Sequence, residues 1–139
     1  MKDEEEVFSR LVCLARVLRS ESGCPWDRAQ DEASLAQYVL AEAQELDEAV
    51  GARDVGHVRE EIGDVLFALI GMALLAEEKG DFSLLDLLEK LEAKMVRRHP
   101  HVFGNKSAKT AEEARRHWDA VKESERTDKR ATRASEDVK

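Results

Sequence analysis

The sequence has little of what secreted, membrane-spanning or sheet-rich proteins need. Its 139 residues include two cysteines, two prolines and one tyrosine, and aromatic residues make up 5%. Cys13 and Cys24 lie outside any C-x-x-C pattern, nothing at the N-terminus resembles a signal peptide, and there is no apolar run of 18 residues. These absences predict a cytoplasmic protein with reduced thiols and no membrane partner.

The composition favours helices. Charged residues make up 37% and apolar residues 42% of the chain, with few of the aromatic residues that strands prefer. We therefore expect an all-α fold, with a single domain over residues 1–126. Val138 is the only large aliphatic residue after Glu125, which predicts a disordered, charged tail over residues 127–139.

Charge is unevenly distributed along the chain. The net charge is -8, but residues 1–93 carry 9 Lys and Arg against 22 Asp and Glu, whereas residues 94–130 carry 11 against 6. The overall negative charge argues against nucleic-acid binding. An acidic body is thus followed by a basic segment, although such patterns are also typical of solvated surfaces.

Apolar spacing predicts five helices joined by short loops. Gly51 and Gly80 are expected to end the second and third, since glycine suits a left-handed helix end. The short connection between these two helices favours an antiparallel hairpin. The helices are expected near residues 4–19, 31–51, 54–79, 83–99 and 110–125, with loops at residues 20–31 and 99–104.

The second helix carries a carboxylate where its apolar stripe should continue. At about 100° per residue, Leu35, Tyr38, Leu46 and Ala49 all lie within roughly 40° of Glu42. Glu45 is about 60° away from it. A carboxylate in a core-facing stripe suggests a role other than solvation.

Two acidic pairs stand on consecutive helices. Glu42 with Glu45, and Glu61 with Asp64, are each spaced i, i+3, so each pair projects from one side of its helix. Four carboxylates at an apolar seam repel one another unless a cation compensates them, and oxygen donors alone suit Mg²⁺ or Mn²⁺ better than Zn²⁺. The alternative is surface acids paired with basic neighbours, for which the candidates are Arg53, Arg59 and Lys79.

The basic segment offers groups that could bind a nucleotide. Lys94 and Arg98 are spaced i, i+4 on the fourth helix, and Trp118 and Lys122 are spaced i, i+4 on the last. Lys and Arg can hold phosphate oxygens, and a Trp can stack on a base. Taken singly, each basic pair is more typical of a solvated face, and Trp118 of a core.

Three segments resemble those of the MazG nucleoside triphosphate pyrophosphohydrolases in order and spacing. They are GCPWDRAQDEASLAQYVLAEAQELDEAV, EEIGDVLFALIGMALLAEEKGDFSL and KMVRRHPHVFG. The family signature is E-E-x-x-E followed, after a spacer, by E-x-x-D. Glu42, Glu45, Glu61 and Asp64 match its last four acids, whereas Ala41 stands at the first.

The resemblance implies an all-α, antiparallel helical bundle that assembles as a homodimer or a larger homo-oligomer. It implies hydrolysis of nucleoside triphosphates between the α- and β-phosphates, with Mg²⁺ or Mn²⁺ held by the four matching acids, which are also the catalytic residues. Lys94, Arg98, Trp118 and Lys122 match positions that contribute to the nucleotide pocket. Two alternatives stay open: an enzyme restricted to dUTP, dCTP or phosphoribosyl-ATP, and a non-catalytic nucleotide-binding module.

Overall fold

The computed structural model describes residues 3–138, and every regular element in that range is a helix. The all-α prediction is confirmed. In chain order the helices are α1 Glu4–Arg19, α2 Pro25–Arg28, α3 Glu32–Ala52, α4 Val55–Lys79, α5 Leu84–Arg98, α6 Pro100–Phe103 and α7 Ala111–Glu136.

Side-chain caps fix where the long helices begin. The carboxylates of Asp3, Asp31 and Asp54 and the hydroxyl of Thr110 each accept a hydrogen bond from a backbone N–H of the following turn. The caps satisfy donors that a helix start leaves free, so they set the register of the apolar faces. The segments predicted as loops contain the one-turn helices α2 and α6, each of which starts at a proline, whose fixed φ suits a first turn.

The second helix, expected to end around Gly51, ends one residue later, and Gly51 is not the left-handed residue. Helix α3 continues through Gly51 to Ala52, and Arg53 takes the left-handed conformation with φ 57°. The N–H of Arg53 donates to Val50 O at 3.1 Å and that of Asp54 to Ala49 O at 3.3 Å, which closes the helix end. Asp54 must also cap α4, so the turn falls at this two-residue connection.

The helices divide between two compact units, Met1–Leu84 and Leu85–Lys139. In the first unit, α3 and α4 pack along each other as an antiparallel hairpin, and α1 packs against α4. Two ion pairs tie α1 to the end of α4: Arg16 with Glu77, and Arg19 with Glu78 through two hydrogen bonds of 2.8 and 2.9 Å. The buried apolar residues of this unit are Ala15, Leu35, Ala49, Ala68, Ile70, Ala73, Leu74, Leu75, Ala76 and Leu84.

The second unit contains nearly all of α5 together with α6 and α7. Arg97 and Arg98, at the end of α5, both bond to Glu125 of α7. Residues 127–136, for which the sequence predicts a disordered tail, continue α7 as helix. The side chains of residues 126–138 are all exposed, so this extension depends on helix propensity and not on burial.

No helix within residues 3–138 combines the length and the apolar character that crossing a membrane would require.

Candidate functional site

Two glutamates interrupt the apolar core of the first unit. Glu42 of α3 and Glu61 of α4 are 8% and 6% exposed, and they are the two buried polar residues of residues 3–138. Glu42 lies in the core because it shares a helix face with Leu35 and Ala49, which are also buried. The α3–α4 hairpin therefore brings a buried carboxylate from each helix into its seam.

Glu45 completes a group of three carboxylates. One oxygen each from Glu42, Glu45 and Glu61 lies within 4.8 Å of the other two. Glu45 is exposed, so the group reaches the surface on one side. The Oε2 atoms of Glu42 and Glu61 are buried and have no hydrogen-bond partner. Buried polar atoms are usually satisfied, so these two oxygens fit the requirements of a positively charged ligand.

The crowding of negative charge is visible in two neighbouring groups. The charges of Glu42 and Glu61 are the main causes that raise the pKa of Glu45 above its ordinary value. Partial burial raises the pKa of the Tyr38 phenol, and its hydrogen bond to Glu42 and the charges of Glu42, Asp64 and Glu45 add to this shift. Both shifts run in the direction expected beside uncompensated carboxylates.

Within residues 3–138, no lysine or arginine forms an ion pair with these three carboxylates. Lys79, one of the partners considered from the sequence, pairs instead with Glu32 at 2.8 Å and faces Asp81 at 3.9 Å. The hydrogen-bond partner of Glu61 is the His57 ring, whose Nε2 lies 2.8 Å from Glu61 Oε1. The surface-acid alternative therefore does not describe Glu42 and Glu61.

Asp64, the fourth predicted ligand, lies outside the three-carboxylate group. It stands one turn after Glu61 on α4, is exposed, and is near enough to influence Tyr38 by its charge. Ala41, at the position where the family signature has its first acid, is also exposed. The structure thus brings three of the four predicted acids within 4.8 Å of one another.

Sequence reasoning placed Tyr38 beside Glu42 but missed its hydrogen bond to that residue, and it missed the contact of His57 with Glu61. His57 precedes Glu61 by four residues, so helical spacing alone could have indicated the pair. Tyr38 precedes Glu42 by the same interval. Both had a simpler interpretation, as an exposed ring and as a packing residue.

The predicted nucleotide-binding residues all belong to the second unit. The Arg98 guanidinium lies over the Trp118 ring, 5.1 Å from its centroid, and its Nη2 and Nε donate to Glu125 Oε2 at 2.7 and 3.1 Å. Lys94 and Lys122 are half-buried. Hydrogen bonds from Arg98 and then Arg97 lower the pKa of Glu125, against the opposing effect of burial. Arg98 is therefore held in place by an aromatic face and a carboxylate.

A pocket of about 340 Å³ adjoins Trp118 in this unit. The His99 ring meets Trp118 edge to face at 5.2 Å between centroids, and its Nδ1 lies 2.6 Å from Met95 O. This arrangement fixes one edge of the indole ring. The pocket is lined by His99, His101, Ala111, Ala114, Arg115 and Trp118.

Comparison with known proteins gives consistent results. The chain is 37% identical over 136 residues to the nucleoside triphosphate pyrophosphohydrolase/pyrophosphatase MazG of Thermotoga maritima, covering 98% of this chain and 52% of that protein. It is 38% identical over 132 residues to the nucleoside triphosphate pyrophosphohydrolase of Escherichia coli K12, covering 94% and 50%. The chain thus spans about half the length of these curated relatives.

A solved structure shares the fold. The crystal structure of a mazG-related protein from Thermotoga maritima superposes with a TM-score of 0.69 at 29% identity, covering 83% of this chain and 98% of that one. The family model described as the MazG nucleotide pyrophosphohydrolase domain matches residues 30–103, which include Glu42, Glu45 and Glu61. This chain therefore belongs to the MazG family.

Proposed function

We propose that this chain is a metal-dependent hydrolase that converts nucleoside triphosphates to nucleoside monophosphates and pyrophosphate by cleaving the bond between the α- and β-phosphates. The observation that supports it most is the pair of buried, unpartnered oxygens on Glu42 and Glu61 beside Glu45. Membership of the MazG family and the names of the relatives support the choice of substrate.

The three carboxylates fit a divalent cation of the hard type. All donors are oxygens, and two of them are buried without a partner, as Mg²⁺ or Mn²⁺ ligands would be before binding. Asp64, exposed one turn along α4, is the proposed fourth ligand. When bound, the cation supplies charge that offsets the triphosphate and favours ionisation of the attacking water.

The chain's own residues have two further roles, holding negative charge at the metal site and binding the nucleotide. Glu42 and Glu61 hold two negative charges at fixed positions in the seam, because α3 and α4 bury both side chains. Glu45 extends the same site to the surface. Lys94, Arg98, Trp118 and Lys122 are the proposed nucleotide-binding residues: the cationic groups for phosphate oxygens and the indole for the base.

We further propose that the chain acts as a homodimer. Helix α4 presents Ile62, Leu66 and Leu69, spaced i, i+4 and i+7, and they are 53%, 42% and 48% exposed. Val7 and Leu14 of α1 are also exposed. Leu66 lines a surface groove together with Val7, so the two apolar rows adjoin. An apolar surface of this kind is typical of an interface.

The assembly is tested by multi-angle light scattering. The wild-type chain should give twice its mass of 15.7 kDa. Leu66→Glu should give the monomer mass, because a charge would be buried in the interface. Leu85→Glu, at a leucine that is 63% exposed in the second unit, is the matched control. A monomeric wild-type chain would refute the dimer.

The metal site predicts an unusual effect on stability. In EDTA, Glu42→Gln should raise the melting temperature, since a neutral amide replaces one of several crowded carboxylates. We expect a gain of about 1 kcal/mol, or roughly 3–5 °C for a chain of this size. Adding Mn²⁺ should raise the melting temperature of the wild type but not that of the variant.

Asp47→Asn is the control for this comparison, because Asp47 is exposed on the same helix and its change removes the same charge. It should leave both melting temperatures near the wild-type values. A Glu42→Gln variant that is less stable than the wild type in EDTA would show that the Glu42 carboxylate stabilises the fold and is not destabilised by its charged neighbours.

Catalysis is tested by product analysis over a panel of ribo- and deoxynucleoside triphosphates with Mg²⁺ or Mn²⁺. We expect pyrophosphate and monophosphate, and no turnover without metal. Glu42→Gln and Asp64→Asn should each abolish turnover while the helical circular dichroism is retained. Release of orthophosphate would contradict cleavage at the α–β bond, and full activity of Asp64→Asn would exclude Asp64 as a ligand.

The same panel separates the two alternative functions. One strongly preferred substrate would favour a narrow-specificity enzyme, and nucleotide binding without turnover would favour a non-catalytic module.

The role of Arg98 is tested by kinetics. Arg98→Ala should raise KM by roughly 10-fold or more, the effect of losing charge-assisted hydrogen bonds to phosphate. Arg97→Ala is the matched control, since Arg97 also bonds Glu125 but its side chain is 52% exposed. Both variants remove one partner of Glu125, so equal KM values for the two would assign Arg98 a structural role.

A further inference from the structure

His57 joins the surface of the protein to its buried acidic seam. It lies in the first turn of α4, where its backbone N–H donates to the capping carboxylate of Asp54 at 3.1 Å. Its side chain is 46% exposed, whereas the Glu61 side chain that it contacts is 8% exposed. The contact between His57 Nε2 and Glu61 Oε1 is 2.8 Å long. A ring at the protein surface therefore bonds to a carboxylate of the proposed metal site.

The chemistry of the two groups fixes the direction of this bond. An ionised carboxylate can only accept, so His57 Nε2 carries the hydrogen and donates it to Glu61 Oε1. This uses one oxygen of Glu61 and leaves Oε2, which is buried and has no partner. The two oxygens of one carboxylate thus have different surroundings.

We propose that His57 is a positioning residue that fixes the rotation of the Glu61 carboxylate, so that Oε2 is the oxygen offered to the divalent cation. This inference rests on the metal site of the proposed function. Carboxylates that ligate metals are commonly oriented by hydrogen bonds of this kind. The terminal torsion of a glutamate is broad, so without a donor the carboxylate would sample several rotations.

A purely structural role would have different consequences. If His57 only stabilised α4 as the i, i+4 partner of Glu61, its contribution would not depend on metal. The other members of the site lack an equivalent arrangement: Glu45 is exposed, and the hydrogen bond that Glu42 receives comes from the Tyr38 phenol. Among these acids, Glu61 is the one held by a nitrogen donor from its own helix.

The test is Mn²⁺ affinity measured without nucleotide, by the electron paramagnetic resonance signal of free Mn²⁺. His57→Leu removes the donor while keeping an apolar side chain, and should weaken binding by roughly 10-fold to 100-fold. His57→Gln retains an N–H donor that can reach residue i+4 on a helix, and should restore most of the affinity. His117→Leu, the same change in the second unit, should bind as the wild type does.

The outcomes separate this inference from the proposed function. If the wild type binds no Mn²⁺, or Glu61→Gln binds it equally well, the metal site itself is refuted. If Glu61→Gln loses Mn²⁺ but His57→Leu binds as the wild type does, His57 has no positioning role. A His57→Gln variant as weak as His57→Leu would also refute it, since the donor would then be irrelevant. Circular dichroism melting in EDTA identifies any loss of folding in each variant.

Discussion

The placement of Glu42 and Glu61 in the seam between α3 and α4 is the constraint on which the rest of the first unit depends. Burying two carboxylates with an unpartnered oxygen each opposes folding. The surrounding structure must offset this cost, and the antiparallel packing of α3 on α4 and of α1 on α4 supplies the buried apolar area. The ion pairs of Arg16 and Arg19 fasten α1 at the far end of α4, away from the carboxylates. The ion pairs that hold α1 thus lie at the C-terminal end of α4, whereas Glu61 lies near its N-terminal end.

Much of this could be predicted from the sequence because it depends on local spacing. Asp31 and Thr110 cap the helices that their patterns indicate, and Glu42 is buried where its apolar neighbours place it. Spacing could not distinguish Glu61 from Asp64, which share one side of α4 but differ in burial. That difference comes from tertiary packing against α3, and the periodicity of one helix carries no information about that packing.

Other differences have equally physical causes. The left-handed residue at the end of α3 was misplaced because Gly51 matched the usual residue type, whereas the two-residue connection requires that conformation at Arg53. The extension of α7 was missed because composition was weighed as burial potential, and a charged segment can be helical while burying nothing. The contact of His57 was missed because an exposed ring near a helix start has a simpler interpretation as a surface residue.

In the second unit, Arg98, the proposed phosphate-binding group, is already held by other side chains. Its guanidinium lies over the Trp118 ring and is bonded to Glu125, so its orientation is defined before any ligand arrives. Glu125 is shared with the more exposed Arg97, and the second cation offsets the charge of the carboxylate. Arg98 would therefore need no reorientation to meet a phosphate in the proposed site.

Ala41 bears on the exposed side of the acidic site. The family signature has an acid at this position, yet the three carboxylates of Glu42, Glu45 and Glu61 come together without it. Because Ala41 is exposed, an acid there would add negative charge beside Glu45, whose pKa is already raised by its neighbours' charges. Its replacement by alanine lowers the repulsion in the metal-free protein and removes one potential oxygen donor at the surface. In the proposed metal site, the buried Glu42 and Glu61 would still be present, so alanine at position 41 would limit how many cations the site holds more than whether it holds one.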